Sequence, residues 1–122
     1  MGDRTRVLVA SGDEGRRAQA QLTLGEERFD VHVAVDTDSA VRAVALAVPD
    51  LLLLDIDLPG QGALAIARSL RSQPETASMP TLLLLPRGQM LPADAAGLDA
   101  TLSTPTSSFT LLRKVDLLLE GA

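Results

Sequence analysis

The chain has 122 residues and a formal net charge of −5, a length expected of one domain with one hydrophobic core. It contains no cysteine and one histidine, which excludes disulfides, thiolate nucleophiles and cysteine-based metal sites and argues against a zinc cluster. The negative charge, the scattered arginines and the lack of tyrosine and tryptophan argue against direct nucleic-acid binding, because phosphates attract basic patches and bases stack on aromatic rings.

The first third of the chain predicts two strands with a helix between them. Residues 6–10 are a short apolar run ended by Ser11 and Gly12, which is typical of a buried strand closed by a turn. Good helix formers fill residues 13–24. Residues 29–36 alternate between apolar and polar side chains, which predicts a strand with one drier face near a sheet edge. The apolar side chains of that face are Phe29, Val31, Val33 and Val35.

The middle of the chain predicts two strands that are buried on both faces. Residues 36–39 supply N-cap chemistry for a helix that ends before Pro49. Residues 51–54 are four leucines, as expected of a central parallel strand covered by helices on each side. A helical apolar pattern through 64–70 then leads to a second fully apolar strand at 81–85.

The last part of the chain predicts a shortened helix, a short strand and a closing helix. The stretch 86–97 holds two prolines and two glycines, so at most one helical turn fits there. Residues 99–103 form the last strand, and a helix starts at Ser107 or Ser108. Its apolar stripe consists of Leu111, Leu112, Val115, Leu118 and Leu119. Strands that alternate with helices predict a single α/β domain over 1–122, with a doubly wound parallel sheet of five strands.

In such sheets, ligands bind at the carboxyl ends of the strands. Asp55 ends the most apolar strand and is therefore the position of greatest interest. The residues predicted at that edge are Ser11-Gly12-Asp13, Asp36, Asp55-Ile56-Asp57, Leu85-Pro86 and Ser103-Thr104-Pro105.

Residues 51–60, Leu-Leu-Leu-Leu-Asp-Ile-Asp-Leu-Pro-Gly, resemble the strand, phosphoacceptor aspartate and Pro-Gly turn of response-regulator receiver domains. The resemblance covers the whole chain except for a gap within 86–96. It implies a flavodoxin-like, three-layer fold with strand order 2-1-3-4-5, a shortened fourth helix and a non-enzymatic role in two-component signalling. The other segments that carry it are Val7-Leu-Val-Ala10, Pro49-Asp50, Met79-Pro80, Gly97-Leu-Asp99 and Ser103-Thr-Pro105.

The resemblance implies that Asp55 stands at the phosphoacceptor position. In the family, an acidic pair after the first strand holds Mg²⁺ with the acceptor, while a hydroxyl residue and a lysine bind the phosphoryl group. Here the other functional positions are changed. The acidic pair falls on Ser11 and Gly12, the hydroxyl position on Leu85, the aromatic switch position on Thr101 and the lysine on Thr104, followed by the retained Pro105.

These changes decide which mechanism we expect. A phosphoryl group adds negative charge that a cation must neutralise, and Mg²⁺ needs oxygen ligands that usually include one or two carboxylates, which Ser11 and Gly12 do not supply. We therefore expect a degenerate receiver, a pseudo-receiver without cofactor, that signals through protein partners such as a histidine kinase or an output domain. The alternative is a receiver still phosphorylated on Asp55 by a histidine kinase, with Asp13 and Asp55 forming a weak Mg²⁺ site.

The remaining polar residues have simpler interpretations. Asp13 is expected to cap the first helix, Asp57 to be a solvated loop carboxylate, and Thr104 to be a turn residue ahead of proline. His32 lies on the polar side of its strand and should face solvent. Residues 60–65, Gly-Gln-Gly-Ala-Leu-Ala, have the form of a dinucleotide-binding fingerprint but start too far after the strand, which leaves nucleotide binding as a remote alternative. No apolar run has the length of a membrane span, so we expect a cytoplasmic protein.

Overall fold

The computed structural model describes residues 4–25, 29–93 and 95–121, which form a parallel sheet with helices on both faces. The strands are β1 (Arg6–Ala10), β2 (Asp30–Ala34), β3 (Leu51–Asp55), β4 (Thr81–Pro86) and β5 (Ala100–Thr104). The helices are α1 (Glu14–Gly25), α2 (Thr37–Leu46), α3 (Ala63–Arg71) and α4 (Ser108–Glu120).

The strands follow the order β2-β1-β3-β4-β5, and every neighbouring pair is parallel. This order confirms the predicted doubly wound, flavodoxin-like fold. All five residues of β3 are buried, because β3 lies in the centre of the sheet and helices cover both of its faces. The carboxyl end of β3, where Asp55 lies, is therefore fully buried.

The connection between β4 and β5 contains less helix than the sequence predicts. Residues 87–93 and 95–99, the described part of this connection, form turns and no helix. The sequence predicts a shortened helix in this segment, and over the described residues no helix forms at all. Two prolines and two glycines interrupt the segment and disfavour a helix, although Leu91 and Leu98 still pack against the core.

The core consists of two apolar layers, one on each face of the sheet. One layer packs α2 and α3 against side chains such as Leu52 and Leu54. The other packs α1 and α4 against side chains such as Leu51 and Leu53. The predicted stripe of α4 is confirmed, since Leu111 and Val115 are buried and its remaining members are half-buried or at the edge of the same layer.

The edge strand β2 departs from its predicted pattern. Its position at the sheet edge is confirmed, and Phe29 and Val31 of the predicted dry face are half-buried against the core, but Val33 and Val35 of that face are 41% and 47% exposed, while Ala34 on the opposite face is buried. Strand alternation shows that the two faces differ, but which face is covered depends on where the neighbouring helices end. His32 is exposed as predicted, and its Nε2 lies 3.2 Å from Oδ2 of Asp30.

The predicted helix start at residues 36–39 is a capping box. Oδ1 of Asp36 accepts a hydrogen bond from the backbone N–H of Ser39 at 2.8 Å, and the Ser39 hydroxyl contacts the Asp36 backbone N–H at 3.2 Å. This box fixes the direction in which α2 leaves the β2 strand end. Across the described residues, none of the helices has both the length and the apolar character needed to cross a membrane.

Candidate functional site

The carboxyl ends of β1 and β3 bring Ser11 and Asp55 together. Both side chains are 0% exposed. The Ser11 hydroxyl donates to Oδ2 of Asp55 at 2.8 Å, and the backbone N–H of Asp57 donates to Oδ1 at 3.0 Å. A buried carboxylate needs such donors, because an ionised group without partners is strongly destabilising in the interior. Asp55 is therefore held by the residue that follows β1 and by the turn that follows its own strand.

The third partner of Asp55 is Arg16, on the first turn of α1. Its Nε donates to Oδ2 of Asp55 at 2.7 Å, the length of a strong charge-assisted hydrogen bond. Its Nη2 lies 3.3 Å from Oδ2 of Asp57, and its Nη1 lies 3.7 Å from Oδ2 of Asp13. One guanidinium, a quarter exposed, thus contacts three carboxylates at the strand ends.

Asp13 has the capping role predicted for it. Its Oδ1 accepts from the backbone N–H of Arg16 at 2.8 Å, directly before α1 begins at Glu14. This hydrogen bond is the main reason that the pKa of Asp13 lies below its ordinary value. Asp57 differs from the prediction. It is half-exposed, but its carboxylate contacts Arg16 and accepts from Nε2 of Gln89 at 3.1 Å, so it is part of the site and not a free loop carboxylate.

The charges of the site keep Arg16 protonated. Partial burial lowers the pKa of its guanidinium, but the hydrogen bond from Arg16 to Asp55 and the charges of Asp55, Asp13 and Asp57 outweigh burial and raise that pKa above its ordinary value. The positive charge of Arg16 is therefore permanent, and three negative charges already surround it.

The residues around Asp55 do not fit the Mg²⁺ site that the family resemblance implies. A hydroxyl and a guanidinium occupy Oδ2 of Asp55, and the neighbouring positions Ser11 and Gly12 bring no carboxylate. Mg²⁺ binds through carboxylates and water in near-octahedral geometry, whereas the guanidinium of Arg16 places a positive charge where the ion would have to approach. Within the described residues, no group of three or more His, Cys, Asp or Glu side chains is arranged to hold a metal ion.

The other predicted pocket positions lie at the ends of β4 and β5. Leu85 is half-buried and pairs with Ser103 in the sheet register, while Thr101 pairs with Leu83 further back along the strand. Thr104 is buried and lines a small cavity together with Arg16. The peptide bond between Thr104 and Pro105 is cis. None of these side chains donates a hydrogen bond to Asp55, whose donors lie on the β1 and β3 side of the site.

Gly12 is needed for close packing at this edge. A Cβ atom at residue 12 would lie 2.6 Å from Cδ and 2.8 Å from Cγ of Pro59. We expect Gly12→Ala to lower the free energy of unfolding by about 1–2 kcal/mol, the usual cost of overpacking. Gly25→Ala, where a Cβ would meet nothing within 4 Å, is the matched control and should change stability by less than about 0.5 kcal/mol.

Urea denaturation of Gly12→Ala and Gly25→Ala measures this difference in the free energy of unfolding. Equal losses in the two variants would show that the Pro59 ring moves to accommodate the added Cβ. An aspartate at residue 12 would meet the same ring. The acidic residue that the family has at this position therefore cannot be restored here without displacing the turn that contains Pro59.

The glycines of the dinucleotide-like segment have a structural explanation. Gly60 has a φ of +113°, and a Cβ on it would overlap the side chain of Thr37. The Thr37 hydroxyl also accepts from the backbone N–H of Gln61 at 3.1 Å. The segment thus packs against the start of α2, which gives the nucleotide-binding alternative no support from geometry.

Arg16 and Gln89 are site residues that the sequence patterns did not predict. An arginine in the first turn of a helix faces the positive end of the helix dipole, so it is unfavourable there unless carboxylates lie nearby. This unfavourable position, three residues after Asp13, is the sequence feature that could have identified Arg16 as a site residue. Gln89 lies in a connection without periodicity, and no sequence signal points to it.

The sequence is similar to curated response regulators. It is 30% identical over 120 residues to the phosphate regulon transcriptional regulatory protein PhoB of Rhizobium meliloti, a match that covers 96% of this chain and 53% of PhoB. It is 27% identical over 113 residues to the response regulator PleD of Caulobacter vibrioides, a match that covers 90% of this chain and 25% of PleD. The chain spans about half the length of PhoB and a quarter of PleD. No protein-family model matches it.

Solved structures of receiver proteins have the same fold. The receiver domain of NtrX from Brucella abortus superposes with a TM-score of 0.85 at 23% identity, covering 95% of this chain and 99% of that one. The chemotaxis response regulator CheY4 of Vibrio cholerae superposes with a TM-score of 0.86 at 21% identity, again covering 95% and 99%. At these identities the likeness establishes the fold alone.

Proposed function

Because this chain is a response-regulator receiver domain of the kind found in two-component systems, we propose that it signals through protein contacts that do not require phosphorylation of Asp55. One observation carries the proposal. The carboxylate of Asp55 is 0% exposed, and Ser11, Arg16 and the backbone of Asp57 already donate to its two oxygens. A phosphodonor would have to displace these donors before a carboxylate oxygen could attack phosphorus.

Charge also opposes a phosphoryl group at Asp55. The carboxylates of Asp13 and Asp57 lie beside the site, and the Arg16 guanidinium that contacts them is already paired with Asp55. Thr104 stands where the family has its lysine. A charge contact at 4 Å is worth about 4 kcal/mol at an effective dielectric near 20, so this loss alone weakens the phosphoryl state by up to about three orders of magnitude.

The proposed partner is another protein. Receiver domains interact with histidine kinases and with output domains, and the matches to PhoB and PleD cover only the part of those proteins that this chain resembles. We propose that a partner of one of these two kinds binds the folded domain whether or not a phosphodonor is present, in a cytoplasmic setting and without a cofactor.

Chemical-shift mapping tests the proposal. Isotopically labelled protein is titrated with acetyl phosphate and, separately, with beryllofluoride, each in the presence of Mg²⁺. We expect no saturable shift at the amides of Ser11, Asp55 and Asp57, because Arg16 keeps both reagents away from the carboxylate. A receiver that contains the complete set of family residues, treated in parallel, shows that the reagents are active.

The contrary result is specific. Saturable shifts centred on Asp55 that disappear in Asp55→Asn would establish that the domain accepts a phosphoryl group. The alternative function, a receiver phosphorylated by a histidine kinase, would then replace the one proposed. Shifts that persist in Asp55→Asn would reflect binding elsewhere and would leave the carboxylate closed, as proposed.

A further inference from the structure

One guanidinium links α1 to the ends of β3 and β4. Nε of Arg16 donates to Asp55 at 2.7 Å, and Nη2 contacts Asp57 at 3.3 Å. Asp57 in turn accepts from Nε2 of Gln89, which lies 3.1 Å from both carboxylate oxygens. A continuous series of charge-assisted hydrogen bonds therefore runs across the strand ends to the connection that follows β4.

We propose that Arg16 is a positioning residue that supplies the cation of the Asp55 site from within the chain and, through Asp57, fixes Gln89 and the β4–β5 connection. This rests on the proposed function, since a site filled by Arg16 is closed to Mg²⁺ and to a phosphoryl group. The residues that do not fit a metal site therefore have a positioning role of their own.

The geometry requires a guanidinium in particular. The group is planar, carries five N–H donors and stays protonated, so separate nitrogens of Arg16 contact Asp55 and Asp57 at the same time. A lysine ammonium is a compact charge without this fork. It could neutralise Asp55, but it would not hold Asp57 in the same geometry.

The start of the β4–β5 connection is held by individual contacts, because the described residues of the connection form no helix. Its backbone is joined to the sheet by the hydrogen bond from Arg87 N–H to the Thr104 carbonyl at 2.8 Å. The contact between Gln89 and Asp57 joins it to the end of β3. Met90 follows directly and is 86% exposed. A protein partner that contacts Met90 would meet a surface positioned by Arg16 and not by phosphate.

Nuclear magnetic resonance on Arg16→Ala tests the proposal. We expect the amide of Asp57 and the side-chain amide of Gln89 to shift. The backbone amide of Gln89, which donates to the Pro86 carbonyl at 3.0 Å, should exchange its hydrogen about tenfold faster, because a hydrogen bond to a charged group is worth at least the roughly 1.4 kcal/mol to which a factor of ten corresponds. Arg113→Ala, an exposed arginine on α4, is the control and should leave these signals unchanged.

Chemical rescue separates positioning from a general structural role. Methylguanidinium added to Arg16→Ala should return the Asp57 and Gln89 signals toward their wild-type positions in a saturable way. Methylammonium at equal ionic strength should not. The proposal is overturned if Arg16→Ala leaves these signals in place, or if both cations, or neither, restore them.

Arg16→Lys provides a second route if Arg16→Ala does not fold. We expect the lysine variant to keep the Ser11 and Asp55 signals near their wild-type positions while the Gln89 signals shift, and unchanged Gln89 signals would refute the proposal. Failure of the proposed positioning role is distinguishable from failure of the proposed function. Phosphorylation of the wild-type protein rejects the function, whereas a Gln89 anchor that does not depend on Arg16 rejects only the positioning role.

Discussion

Arg16→Met is expected to lower the free energy of unfolding by about 2–3 kcal/mol. Removing one partner of a buried ion pair costs about 3–5 kcal/mol of stability, because the other charge stays buried without its counter-ion. The loss here should be somewhat smaller, since the Arg16 side chain is a quarter exposed and Ser11 continues to donate to Asp55. Methionine keeps much of the apolar stem, so the charge and its hydrogen bonds are what the variant removes.

A double-mutant cycle isolates the pair. In the Asp55→Asn background, Arg16→Met should cost less than about 1 kcal/mol, which corresponds to a coupling energy above about 1 kcal/mol. Urea denaturation of the four proteins measures both quantities. Arg113→Met, on the exposed side of α4, controls for the loss of a surface arginine. Additive losses in the cycle would contradict a direct interaction between Arg16 and Asp55.

Gly97→Ala is expected to destabilise the protein by about 3 kcal/mol. Gly97 has a φ of +87°, a conformation that costs an L-residue roughly 1–2 kcal/mol. In addition, a Cβ there would lie 2.6 Å from the carbonyl oxygen of Ala67 and 2.7 Å from its carbonyl carbon. These atoms belong to the backbone of α3 and cannot rotate away, so overpacking adds about 1–3 kcal/mol.

Gly88→Ala separates the two causes. Gly88 has a similar φ of +93°, but a Cβ on it would meet nothing within 4 Å. We expect this variant to lose about 1–2 kcal/mol, from backbone strain alone. Thermal or urea unfolding of Gly88→Ala and Gly97→Ala gives the comparison. If both variants lose the same amount, α3 accommodates the added Cβ at Gly97 and overpacking contributes nothing to the loss.

The sheet and most of its helices could be predicted from the sequence because their signals are local. Runs of leucine at 51–54 and 82–85 indicate strands covered on both faces, and the 107–119 pattern indicates a helix with one apolar stripe. The exposed face of β2 could not be predicted at Val33 and Val35. Alternation gives two faces, but which one is covered depends on the tertiary contacts of α1 and α2.

The candidate site was predictable in its position but not in its chemistry. Asp55 lies where a buried strand ends, and the changes at Ser11 and Gly12 are visible in the sequence. The partner that closes the site is 39 residues away, and no periodic pattern links Arg16 to Asp55. Local signals assign Asp57 to a turn, whereas its contact with Gln89 exists only because the β4–β5 connection folds back over the strand ends.

A cation that is part of the chain would change how the proposed signal is adjusted. Arg16 is present once for every Asp55, so its occupancy does not vary with the concentration of Mg²⁺, ATP or an upstream kinase. A receiver that depends on an acyl phosphate has a lifetime set by hydrolysis of that bond. Under the proposed function, the strength of the signal would follow the number of copies of this protein in the cell. Its duration would follow the synthesis and degradation of the protein.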